Sequence, residues 1–260
     1  FGKEDIVPEL AERRMFQLTP LVALAAVVTA MMYIPTYSQA APMSFKGDVI
    51  VVLYLLTIPT VTFFLGGWYS RSVYSMIGAA RTLMQLFAYE IPLFLAILAP
   101  AMLANTWSLS EMSAFYQAHP TYAAFNVIGL CVAVVALLGK LEKVPFDIPE
   151  AETEIVAGSF TEYSGRLYAI FRLAISMELI VGASLLAAVF LPFGMSYGPA
   201  AGFGLYLVKI LGIVAVLALC RSLFARLRID QMINFCWQIA APIAFVQLIV
   251  DLLAKGWVKA

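Results

Sequence analysis

Charge is scarce in this sequence. Only 12% of its 260 residues are Asp, Glu, Lys or Arg, against 63% hydrophobic residues and a mean hydropathy of +0.91. That balance excludes an ordinary soluble domain, in which about a quarter of the residues are charged. Sixteen basic and sixteen acidic residues leave no net charge, so electrostatics offers no reason to expect nucleic-acid binding. A single histidine, His119, rules out bis-histidine haem ligation and most histidine metal sites within this chain. The three cysteines, Cys131, Cys220 and Cys236, lie far apart without CxxC spacing, which suggests neither a disulfide framework nor a metal site. They read as small apolar packers, and any redox metal belongs to a partner chain. The chain does not open on a basic segment followed by a short apolar stretch and a cleavage motif, so no signal peptide is read. No internal repeat of the kind that marks many transporters is evident.

What is abundant is long apolar sequence. Uncharged runs extend from Met15 to Phe45, Val49 to Ser70, Met112 to Gly139, Leu179 to Val208 and Gln231 to Val250. Each reaches the roughly 20 residues needed to cross hydrocarbon as a helix. Helix is the default there because lipid offers no partner to an unpaired backbone amide. The expected fold is an all-α integral membrane bundle of about seven transmembrane helices, at 15–36, 48–66, 73–103, 120–140, 164–191, 200–225 and 230–253, forming one domain over 1–260. Most Lys and Arg residues fall on one side: Lys3, Arg13, Arg14, Arg71, Lys140, Lys143, Arg166, Arg172, Arg221, Arg226 and Arg228, against Lys46, Lys255 and Lys259 on the other. The positive-inside rule therefore places the N-terminal end in the cytoplasm. The outer connections, 105–119 and 192–199, read as short interfacial turns.

The longest cytoplasmic connection spans 140–163 and is rich in acid: Glu142, Asp147, Glu150, Glu152, Glu154 and Glu162. Pro149 suits a first helical turn, the three following glutamates suit its positive end, and Gly158 suits its termination, so a short amphipathic helix at the membrane surface is expected. Composition alone favours a solvated loop. The density of carboxylates favours a docking surface joined to a proton entrance.

Four charges fall inside the expected spans: Arg81 and Glu90 in the third, Glu178 in the fifth and Lys209 in the sixth. Intramembrane charges pair, face water or carry protons. Glu90 lies nearly opposite Arg81 on the helix, so the two are not expected to pair with each other. Arg81 can also snorkel to the cytoplasmic surface. Lys209 and Glu178 are candidates either for a proton relay or for a static buried pair, since their helices are sequence neighbours.

Three motifs carry a specific resemblance. Gly67-Trp-Tyr-Ser-Arg-Ser-Val-Tyr-Ser-Met-Ile-Gly-Ala-Ala-Arg81 followed by Tyr89-Glu-Ile-Pro92, the stretch Pro145-Phe-Asp-Ile-Pro-Glu-Ala-Glu-Thr-Glu-Ile-Val-Ala-Gly158 with Thr161-Glu-Tyr-Ser-Gly165, and Arg226-Leu-Arg-Ile-Asp-Gln231 together resemble the membrane anchor subunit of respiratory complex I, the NuoH family. The match runs in order over nearly the whole chain. The family pattern has eight transmembrane helices, and on that pattern the first is missing here.

The resemblance implies a subunit that anchors a peripheral redox arm and passes its changes of state toward antiporter-like membrane subunits. It also suggests a branch. Quinone-reducing members tend to show Ala-Glu-Thr-Asn-Arg before Pro-Phe-Asp, whereas here Lys140 takes the glutamate's place and Glu142 the asparagine's. They also tend to carry a glutamate where this chain has Ile175, with Glu178 about one turn later. The Leu-Glu-Lys-Val-Pro-Phe-Asp pattern is more similar to membrane-bound energy-converting [NiFe] hydrogenases and their formate hydrogenlyase and sulfane-reductase relatives.

The implied partners are hydrogenase-like large and small subunits and an iron–sulfur subunit, holding the [NiFe] centre and clusters, in a prokaryotic inner membrane. Glu90, Glu142, Asp147, Glu150, Glu152, Glu154, Glu162, Glu178 and Lys209 are the expected relay, with Arg81, Lys140 and Arg166 tuning its charge. The alternatives are a subunit lining a quinone cavity in a complex I type oxidoreductase and a stand-alone ion transporter.

Overall fold

A computed structural model describes residues 4–149, 155–194 and 198–258. Seven helices are long and apolar enough to cross a membrane: α1 (Arg13–Met32), α2 (Asp48–Tyr69), α3 (Val73–Ala104), α5 (Pro120–Lys140), α6 (Gly165–Phe190), α7 (Pro199–Leu223) and α8 (Ile229–Gly256). A shorter helix, α4 (Leu109–Ala118), lies between α3 and α5.

The expected spans are all present, and most differences have local causes. α1 stops at Met32 rather than near residue 36 because Pro35 has no N–H to donate and crowds the helical geometry of the residue before it. α3 ends on Asn105, whose φ of 56° is the left-handed turn that closes helices. The connection 105–119 was expected as an irregular turn and instead contains α4. Its start signal is Ser108-Leu-Ser-Glu111, with the Ser108 hydroxyl accepting from the Glu111 amide. Asp48, fully buried at the start of α2, caps the same helix by accepting from the Leu109 amide at 2.6 Å.

α3 is the centre of the bundle and packs on α2, α5 and α8, while α1 packs on α2 and α6. α6 is largely buried among its neighbours and α7 is largely exposed on the outside of the bundle, where apolar side chains meet lipid or other subunits. The chain order gives the bundle two faces. One, called here the loop face, carries 141–164 and the α2–α3 and α7–α8 turns; the opposite face carries α4 and the α6–α7 turn.

Much of the described part of the long loop is packed into the bundle rather than solvated. Phe146, Ile148, Ile155, Phe160 and Tyr163 are all buried. Phe160 and Tyr163 join Phe16, Phe63 and Phe171 in a second apolar core formed by the loop, α1, α2 and α6. The Tyr163 ring stacks on Phe16 with centroids 4.0 Å apart, and its hydroxyl bonds to Thr19 at 3.0 Å. Burial pushes the Tyr163 phenol well above its usual range, so it stays neutral. A Cβ on Gly78 would stand 2.5 Å from the backbone of Gly158, so only glycine lets the loop lie against α3. The helix expected after Pro149 falls mainly on residues outside those described; its described flank is a 3₁₀ turn over Gly158–Phe160.

The segment before α1 is tied to the start of α6. The Arg166 guanidinium donates to Asp5 Oδ2 through Nε at 2.9 Å and Nη2 at 2.6 Å, and the Ile6 amide donates to Ser164 Oγ at 3.2 Å. The Arg166 side chain holds the Asp5 carboxyl below its usual value of 3.8. A depressed carboxyl pKa contributes its stabilisation above the unfolded value and loses it as pH falls through the folded one. Residues 4–8 are therefore expected to stay protected from amide exchange at neutral pH and to lose protection below about pH 4, while α1 itself remains protected.

Candidate coupling site beneath the loop

One group of polar side chains inside this apolar bundle converges just under the loop. α5 delivers Lys140 as its last residue, and a Cβ on the preceding Gly139 would lie only 3.1 Å from Tyr89, so α5 and α3 touch there. Lys140 is 1% exposed, and its Nζ lies 3.1 Å from Oε1 of Glu178, also 1% exposed, on α6. The same ammonium donates to the Leu56 carbonyl of α2 and sits 5.6 Å from the centroid of the Tyr89 ring. Pro59 removes one backbone bond from that stretch of α2 and loosens it. The Tyr89 hydroxyl bonds to Thr60 at 3.0 Å. Gln85, one turn before Tyr89, donates to the carbonyls of Gly139 and Phe146, both at 2.7 Å, and so binds α3, α5 and the loop together.

Carboxylates surround this pair. Glu90 is half-buried and close enough to Lys140 for their charges to interact. Glu142 is buried at a turn with φ of 50°, and its charge is felt at Tyr89. Asp147 Oδ1 is ion-paired with Arg226, 3.0 Å from its Nε, tying the loop to the turn before α8, and the Leu227 amide donates to the Pro145 carbonyl. Arg81, Ile148 and the stretch from Arg226 to Asp230 line a cavity of about 380 Å³ at the loop face. Glu162 is half-buried at the loop's exit. Glu150, Glu152 and Glu154 lie outside the described residues. Among the described residues, no group of three His, Cys, Asp or Glu side chains is placed to hold a metal ion.

Two expectations are corrected. Lys209 does not pair with Glu178: its Nζ donates to the Phe193 carbonyl in the α6–α7 turn and lies 5.1 Å from the Phe193 ring centroid. α6 and α7 run in opposite directions, and side chains lean toward the N-terminus of their own helix. Glu178 therefore leans toward the loop face and Lys209 away from it. Arg166, expected to tune the relay, is instead clamped to Asp5. Gln85, Tyr89 and Thr60 were missed, because uncharged polar residues in an apolar helix show no sign in sequence of which neighbour they face. The Lys140–Glu178 pair was missed because Lys140 stands at a helix end, where a lysine is normally explained by the interface.

A model of the family described as NADH dehydrogenase matches residues 1–252. The chain belongs to this family. Similar curated proteins are NuoH-type subunits of NADH-quinone oxidoreductase. That of Syntrophotalea carbinolica is 33% identical over 98% of this chain and 79% of its own length, and that of Carboxydothermus hydrogenoformans is 29% identical over 96% and 72%. Among solved structures, a chain of the membrane-bound sulfane sulfur reductase, an archaeal respiratory membrane complex, superposes with a TM-score of 0.84. It shares 25% identity, over 96% of this chain and 83% of that one. The protein is thus a multi-pass, NuoH-type membrane subunit of a complex I-like oxidoreductase. Within that family frame, the charge cluster sits where α2, α3, α5 and α6 meet the loop.

Proposed function

We propose that this chain is the membrane anchor and coupling subunit of a redox-driven ion pump, joining a peripheral [NiFe] hydrogenase-type arm to proton or sodium translocation by antiporter-like subunits. In this reading the N-terminal end and the loop lie on the cytoplasmic side. The observation that carries it is the buried Lys140–Glu178 pair at 3.1 Å, held under a loop that is itself packed into the bundle. Lys140 and Glu178 are two of the places at which the charge pattern departs from that of the quinone-reducing members, and these two departures meet in space. Lysine at 140 gives glutamate at 178 a partner, so both charges survive burial.

A change of charge in the peripheral arm is felt at the loop, and then at Glu142, Glu90 and the pair, through interactions strengthened by the low surrounding dielectric. Asp147, Glu150, Glu152, Glu154 and Glu162 are the loop's members of this relay, and Lys140 tunes it from within. Iron–sulfur clusters and the [NiFe] centre belong to the peripheral subunits. The quinone-cavity reading is favoured by one observation, the names of the curated relatives.

The test is purification of the intact complex in mild detergent, with metal analysis and parallel assays of hydrogen evolution and quinone reduction. Nickel with hydrogen evolution is expected. Iron without nickel, together with quinone reduction, would turn the proposal over to the quinone reading. In the same complex Glu90→Gln is expected to leave assembly intact and lower coupled ion transport several-fold; unchanged transport would remove Glu90 from the relay.

A further inference from the structure

Besides Asp48, which caps α4, another buried carboxyl lies at the end of the bundle opposite the coupling site. Asp251, near the end of α8, is fully buried, as is Gln247 one turn earlier, and Asn126 of α5 is 2% exposed. Gln247 Nε2 donates to Asp251 Oδ1 at 3.0 Å and to the Phe125 carbonyl at 2.7 Å, and stands 3.4 Å from Asn126 Oδ1. Asp251 Oδ2 and Gln247 Oε1, both acceptors, and Asn126 Nδ2, a donor, remain without a hydrogen-bond partner. A buried carboxylate oxygen that no donor reaches marks a place where a positive group is expected.

The surroundings supply none. Lys255, one turn further along α8, donates to Asn105 at the end of α3 and not to Asp251. Tyr116 of α4 donates its proton to the Pro100 carbonyl at 2.8 Å. Tyr122 of α5 lines an apolar groove alongside, and His119 packs on Tyr122. Among the described residues Asp251 has no ion-pair partner, and a bare carboxylate is expensive in a membrane interior. A proton on Oδ2 removes the charge and turns that oxygen into a donor. The partly exposed Lys255 puts the surface about one turn, ~6 Å, beyond Asp251.

We propose that Asp251 is a proton-exchange site, a carboxylic acid that releases its proton to water at the face opposite the loop and recovers one from it. The O–H bond breaks to leave the carboxylate and a hydronium ion, and no electron is transferred. The helix that bears it reaches the loop at its other end. There Phe235 meets Phe146 with ring centroids 6.3 Å apart, and a π turn over Cys236–Ala240 interrupts the helix between the two sites. π turns of this kind recur at functional positions. The inference rests on the far-face geometry and on membrane burial, not on the proposed coupling role.

Infrared difference spectra of the intact complex, taken between two pH values, test it whatever acceptor the complex reduces. A carboxylic-acid carbonyl band is expected to appear on acidification and to vanish in Asp251→Asn, which keeps the shape and the bond to Gln247. ¹³C-aspartate labelling of the unsubstituted complex should shift the same band, which keeps the test open if the variant fails to assemble. A band absent, or unmoved by labelling, would overturn the proposal. A band abolished by sodium at constant pH would also overturn it, by assigning the oxygens to a metal cation.

Discussion

Lys140→Met is expected to destabilise the bundle by about 3–5 kcal/mol, the cost of leaving a buried partner charge without its counterpart. Removing the ammonium leaves Glu178, 1% exposed, without the cation that pairs with it at 3.1 Å. Thermal unfolding of the purified complex in detergent should show the loss as a lower midpoint. The double variant Lys140→Met, Glu178→Leu should recover most of that stability, because an apolar pair of similar volume removes both desolvation costs at once. Its ion transport should stay low, since no titrating pair remains. That split between recovered stability and lost transport separates a coupling element from a structural staple. A single variant as stable as its parent would mean that Glu178 is already neutral beside Lys140, and the ion pair would no longer carry the proposal.

Gly158→Val is expected to free the loop from the membrane domain. Gly158 has φ of 55°, a conformation costing other L-residues roughly 1–2 kcal/mol. In addition, a Cβ there would fall 1.7 Å from the Pro149 carbonyl oxygen, an overlap that only a backbone shift can relieve. That shift would pull Ser159 from Thr82, where the hydroxyls lie 3.2 Å apart, and disturb the aromatic core around Phe160 and Tyr163. Limited proteolysis should then cut between residues 149 and 160, and peripheral subunits should no longer co-purify, while the seven spans still insert. Gly212→Ala is the control, because nothing stands within 4 Å of a Cβ there. Resistance of the Gly158 variant to proteolysis, with partners retained, would show that the loop tolerates the shift.

Both experiments act on contacts between segments distant in sequence, and this is where reading the chain residue by residue reached its limit. The spans were legible because lipid imposes one rule on every stretch that crosses it: the backbone must satisfy its own hydrogen bonds, so about twenty apolar residues mean a helix. Pro35 and Ser108-Leu-Ser-Glu111 were legible in principle as well, since each acts within a few residues; the first sets the end of α1 and the second the start of α4. The packing of the loop was not legible, because its carboxylates outnumber the buried Phe146, Ile148, Phe160 and Tyr163, which anchor it, and composition alone favoured solvent. Asp251 was passed over for a related reason. Sequence showed it only as the residue ending the apolar run from Gln231 to Val250, with no sign that α5 would cover it.

By itself, then, the sequence determined membrane residence, the number of spans, the family and the inventory of intramembrane charges, all of which follow from local hydropathy or from contiguous motifs. Tertiary structure alone decided which charges meet. Glu178 was expected to meet Lys209 of the neighbouring helix, and it meets Lys140 instead. Helix direction separates them: side chains lean toward the N-terminus of their helix, so Lys209 on α7 turns toward Phe193 while Lys140 on α5 reaches inward to Glu178.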